Sequence, residues 1–174
     1  MRDQTKNSTV TNKLTRVLFA IYLVALCWIL LLKLGVHFSY MTDRRANLIP
    51  FNGPSILTSE NILNVLIFVP LGIYVAILFK GWTFRKNLLL LFLISLLIEG
   101  LQFILRIGAF DVTDVITNTL GGVIGLLLFK AISSAFGNSA KAQKLVNVVA
   151  AIGTVSMLLL LLLLKMDMLP IRYR

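Results

Sequence analysis

The chain predicts an all-α fold, a polytopic transmembrane bundle of about five spans in which four helices could form the core. Three observations carry this. The 174 residues are 58% hydrophobic and only 14% charged, with a mean hydropathy of +0.91, more apolar surface than a soluble domain of this length can bury. Five apolar runs, residues 14–34, 62–79, 88–105, 115–132 and 145–164, reach or approach the roughly 20 residues that cross a bilayer. The basic residues fall between these runs or near their ends, on alternating sides of the expected bundle.

The first run follows Arg2, Lys6 and Lys13 and carries Arg16 near its start. It resembles a secretory signal but is too long, and Lys33-Leu34-Gly35 lacks a small-x-small cleavage site, so it reads as retained. Residues 1–13 then form a cytoplasmic N-terminal tail, residues 14–164 the membrane domain and residues 165–174 a C-terminal tail. Cys27 is the single cysteine and His37 the single histidine, which excludes an intramolecular disulfide, a zinc cluster and a His–His metal pair. No metal or other cofactor is expected.

A long loop, residues 35–61, precedes the second run. His37 and Tyr40 read as interfacial residues. Asp43, Arg44 and Arg45 lead into Asn47-Leu48-Ile49-Pro50-Phe51-Asn52-Gly53-Pro54, a turn-rich segment. The two arginines suit either phosphate contacts or interfacial anchoring. Leu48, Ile49 and Phe51 are expected to dip into the headgroup zone or cap a pocket.

The second run carries a stripe of Asn61, Asn64, Phe68 and Gly72, with Pro70 in mid-span, where it bends the helix. The third holds Ser95, Glu99, Gln102 and Arg106 at i, i+4, i+7 and i+11, on one face. A carboxylate at that depth costs about 2.5–3.5 kcal/mol on insertion scales, so it is paired, protonated or used. The fourth opens with Asp111, Asp114 and Asn118 at i, i+3 and i+7, continued by Gly122 and Gly125. Its Gly121-x-x-x-Gly125 favours close backbone approach. The fifth is a leucine run suited to lipid.

With the N-terminus inside, ten basic residues lie on the inner side and seven on the outer, an orientation for the bacterial cytoplasmic membrane. The net charge of +10 reflects this topology. It is not a nucleic-acid surface, because no compact basic domain exists.

This arrangement brings polar residues of three spans to one depth in the outer leaflet, as a pocket open to the outside. Candidate ligand-binding residues are Asn47, Asn64, Glu99, Gln102, Arg106, Asp111, Asp114 and Asn118. Glu99 and Asp114 are also the catalytic candidates, as an acid–base pair held in different protonation states. Arg106 is placed to snorkel to the interface or to neutralise Asp111 or Asp114. The acids also invite a hard cation, although two acids at i, i+3 equally suit the start of a helix. A hydrogen-bonded strut between helices is the plainer reading.

Four segments within residues 47–130 resemble the VanZ-like family: Asn47-Leu-Ile-Pro-Phe51, Asn64-x3-Phe68-Val-Pro-Leu-Gly72, Glu99-x2-Gln102, and Asp111-x2-Asp114-Val-Ile-x-Asn118-x2-Gly121-Gly122-x2-Gly125. The resemblance implies a small bacterial membrane protein associated with resistance to teicoplanin and related lipoglycopeptides. Three functions follow as expectations. The first is resistance through a lipid or lipid-linked cell-wall precursor at the outer leaflet. The second is an enzyme acting on a lipid headgroup or polyprenyl phosphate. The third is a structural or regulatory partner of another membrane protein. The lipid bilayer is the expected surrounding in all three.

Overall fold

The computed structural model describes residues 2–32, 44–52 and 56–165. Among them are five helices, α1 (Arg2–Leu32), α2 (Ser59–Leu78), α3 (Phe84–Leu105), α4 (Val112–Ala135) and α5 (Ser139–Lys165). Two short strands, β1 (Ala46–Asn47) and β2 (Phe110–Asp111), pair in parallel. Among the described residues, four helical segments are long and apolar enough to cross a membrane: Val10–Leu31, Ser59–Leu78, Phe84–Leu105 and Val112–Ala135. α5 covers the fifth apolar run. The sequence expectation of an all-α membrane bundle holds.

Local chemistry fixes the helix ends. Thr58, Thr83 and Asp111 are N-caps whose side chains accept from Asn61 N, Lys86 N and Thr113 N, satisfying donors that a helix start leaves without partners. The α2–α3 turn places Gly81 at φ 96° and packs Phe79 against Trp82 in a tilted pair, ring centroids 4.4 Å apart. Asn138 opens α5 by accepting from Ala140 N at 2.7 Å.

The most intimate contact is between α2 and α4. A Cβ on Gly72 would collide with the carbonyl of Gly122, and one on Gly125 with the carbonyl of Val69. The two backbones meet where their side chains are hydrogen, as the glycine pattern implies. Leu91 of α3 fills the remaining space beside Gly122. The core gathers Leu26, Phe68, Leu71, Val75, Leu91 and Leu126 from four helices. The outward faces are apolar too: Val24, Leu63, Leu66, Leu93 and Leu97 are exposed, as suits helices solvated by lipid.

The segment expected as an N-terminal tail is helical, since α1 begins at Arg2. From Thr11 to Thr15, α1 packs against α5. Thr15 is fully buried and donates to Asn147 Oδ1 at 2.9 Å. Gln143 donates to Asn12 and Thr15, and Asn147 to the carbonyl of Thr11. His37, Tyr40, Asp43, Gly53, Pro54 and the cleavage-site residues Lys33 to Gly35 lie outside the described residues.

Candidate functional site

The α3–α4 connection gathers most of the expected residues. α3 ends at Arg106, its C-cap, in the left-handed region at φ 59°. The chain then turns through β2 into α4. Because β2 pairs with β1, with Asn47 opposite Asp111, the loop segment before α2 lies over this turn. Phe110 N donates to Arg45 O at 3.0 Å.

Glu99 is the centre. It is 2% exposed, and its Oε2 accepts from the backbone N–H of Asp111 at 3.2 Å. Asp111 uses its own carboxylate twice. Oδ1 caps Thr113 N at 2.7 Å, and Oδ2 accepts from Asn47 Nδ2 at 3.0 Å. Asp114, one turn on, accepts from Asn64 Nδ2 of α2 at 2.8 Å. Residues from β1, α2, α3 and α4 therefore meet: Asn47, Asn64, Glu99, Asp111 and Asp114. Asn118 lies one further turn along α4, 1% exposed, and its Oδ1 has no hydrogen-bond partner. An acceptor buried without a donor is rare in native proteins.

Two expected residues go elsewhere. Gln102 is buried, but its Nε2 donates to the carbonyl of Leu30 at 2.9 Å. Leu30 lies in the last turn of α1, where carbonyls lack intrahelical partners, so Gln102 ties α1 to α3. Arg106 is exposed and makes no ion pair among the described residues. Its left-handed backbone carries it out of the α3 stripe, so it neutralises neither Asp111 nor Asp114.

The residues of the expected outer pocket differ in depth. Glu99, Asn118 and Asn64 are buried, while Asp111, Asp114 and Asn47 are half-buried. The polar cluster is thus buried at its base and partly exposed at the α4 mouth. Phe51, half-buried at φ 54°, helps to close it, its N–H donating to Thr113 Oγ1 at 3.0 Å. Leu48 and Ile49 are exposed. Arg44 and Arg45 are exposed at the same end. Arg44 reaches the Ile104 carbonyl at 3.5 Å and lies over the Phe103 ring. Among the described residues, no three of His, Cys, Asp and Glu converge to hold a metal ion.

Thr113 and Thr117 are buried on α4 and were not among the expected site residues. Thr117 back-bonds to the Thr113 carbonyl at 3.0 Å, and their i, i+4 spacing beside Asp114 and Asn118 was the available signal. Ser95, fully buried, donates to the Val115 carbonyl at 3.4 Å, a further α3–α4 tie.

The geometry coincides with the segments that carry the family resemblance. The chain is 40% identical over 152 residues to Protein VanZ of Enterococcus faecium, covering 85% of this chain and 91% of that one. No solved structure matches the chain. The model of the VanZ/LLP1 family matches residues 19–133, taking in the C-terminal part of α1 as well as the cluster, and the chain therefore belongs to the VanZ/LLP1 family.

Proposed function

We propose that this chain is a multi-pass protein of the bacterial cytoplasmic membrane that lowers sensitivity to teicoplanin and related lipoglycopeptides. On this reading it acts at the outer leaflet, on a lipid or a lipid-linked cell-wall component. Family membership supports the resistance role. The distribution of basic residues supports an outward-facing cluster.

The observation that carries the site is the hydrogen-bonded set Glu99–Asp111–Asn47 beside the pair Asp114–Asn64. It sits beneath a rim holding the exposed Arg44, Arg45 and Arg106. Guanidinium groups favour phosphate oxygens, and the helices beside them offer an apolar surface for acyl or isoprenyl chains. A lipid with a phosphate-bearing head matches both. The free acceptor of Asn118 suits a hydroxyl or amide donor once the β1 segment moves aside.

The test is expression in a teicoplanin-sensitive host, with membrane levels measured in parallel. Glu99→Gln and Asp114→Asn, present at wild-type levels, are expected to lose protection. Full protection by both variants would remove the cluster from the mechanism.

A further inference from the structure

At the opposite end of the bundle, α1, α2 and α5 enclose two cavities that none of the preceding roles uses. The first, about 200 Å³, is polar and lies between Asn12 and Arg16 of α1, Lys80 after α2, and Gln143 of α5. The second, about 380 Å³, is almost wholly apolar and is lined by Leu18 and Tyr22 of α1, Pro70 and Ile73 of α2, and Val149 and Gly153 of α5.

The same helix faces line both cavities. On α2, Pro70, Ile73, Tyr74, Ile77 and Leu78 follow i, i+3, i+4 spacing from the apolar cavity into the polar one. On α5, the lining runs from Gln143 to Met157, about 21 Å of helix. The two cavities therefore follow one another along the same helices, a charged head and an apolar stem of one candidate cleft.

The head is prepared for an anion. Gln143 is 3% exposed and is held by Nε2 bonds to Asn12 and Thr15. Its Oε1 accepts from Lys80 Nζ at 3.2 Å. An ammonium has three donors, so this bond aims Lys80 and leaves two N–H groups for another acceptor. Arg16 is exposed and has no ion-pair partner among the described residues. The stem has room, because a Cβ on Gly153 would meet nothing within 4 Å.

We propose that this cleft binds an anionic glycerophospholipid, with its phosphate at Arg16 and Lys80 and an acyl chain along Tyr22, Pro70 and Gly153. Charge complementarity selects the head and the apolar stem requires the chain, so a free phosphate ester satisfies only half of the site. The proposal stands apart from the Glu99 cluster and from the resistance reading.

The experiment is a lipid titration of the full-length protein in detergent, followed by native mass spectrometry. Phosphatidylglycerol is expected to bind about tenfold tighter than phosphatidylcholine with the same chains, as two basic contacts to an anionic head imply. Arg16→Gln with Lys80→Gln is expected to abolish that preference, and Arg16→Gln alone to reduce it. Gly153→Leu is expected to weaken both lipids alike. Glycerol 3-phosphate is expected not to compete. Equal binding of the two lipids by the wild type would overturn the proposal. So would an equal loss of preference in Arg85→Gln with Lys86→Gln, a surface pair outside the cleft. Competition by glycerol 3-phosphate, or a dimer that Gly153→Leu dissociates, would assign the cleft to another occupant.

Discussion

The backbone N–H of Asp111 donates to the carboxylate of Glu99 at 3.2 Å, tying the N-cap of α4 to a residue buried in α3. This bond separates charge from shape at Glu99. A glutamine keeps an acceptor oxygen for the Asp111 amide, whereas alanine leaves a buried N–H without a partner, at a cost of about 1–3 kcal/mol. Glu99→Ala is therefore expected to lower the thermal midpoint of the detergent-solubilised protein, and Glu99→Gln to stay close to wild type. If Gln melts as early as Ala, the carboxylate holds the fold through its charge and the hydrogen-bond account fails.

The α2–α4 crossing makes a sharper contrast. A Cβ on Gly72 overlaps the carbonyl of Gly122, a backbone atom that cannot step aside, whereas a Cβ on Gly100 meets nothing within 4 Å. Gly72→Ala is expected to abolish folded protein or force the helices apart. Gly100→Ala, in the interior of α3, is expected to be neutral or to stabilise by up to about 1 kcal/mol through helix propensity. Size-exclusion profiles and melting curves of the two variants check this, and a well-folded Gly72→Ala would contradict the close approach.

The features legible in the sequence are those with a helical period. Apolar runs marked the helices, Asp111 and Asp114 marked the start of α4, and the glycines of α2 and α4 marked a close crossing. Three kinds of feature were not legible. The donor to Glu99 is a backbone amide, which every residue carries. The pairing of Asn47 with Asp111 joins two-residue strands, too short to show alternation. Arg106 departs because its backbone turns left-handed, a conformation uncommon for a residue with a Cβ. The α1–α5 network had a readable trace in the i, i+4 pairs Thr11–Thr15 and Gln143–Asn147. Both sit at the polar fringe of apolar runs, where such residues usually face water.

Gln102 lies on the Glu99 stripe yet serves another helix. Its side chain donates to the carbonyl of Leu30 at 2.9 Å, near the end of α1 at Leu32. Gln102→Leu keeps the volume roughly constant and removes the donor. It is expected to destabilise the protein by about 1–3 kcal/mol while leaving protection per folded molecule unchanged. Melting curves and susceptibility normalised to membrane level measure the two effects. Loss of protection at undiminished stability would return Gln102 to the functional cluster.

The outer-leaflet reading depends on orientation, which a labelling experiment decides. Leu48 is 67% exposed beside β1, at the end of the bundle that holds the Glu99 cluster. Lys86 is exposed in the first turn of α3. The 22 residues of α3 span about 33 Å, close to the roughly 30 Å hydrocarbon thickness, so the two positions fall on opposite faces. Cys27 is exposed and must first be replaced by serine. In that background, Leu48→Cys is expected to react with a membrane-impermeant maleimide in intact cells. Lys86→Cys is expected to react only after permeabilisation, because the hydrocarbon layer bars a charged reagent. The opposite pattern would put Glu99, Asp111 and Asp114 near the cytoplasm, out of reach of any lipid or drug in the outer leaflet. The same reversal would bring Arg16 and Lys80 to the outside, so one pair of labels fixes the leaflet served by each end of the bundle.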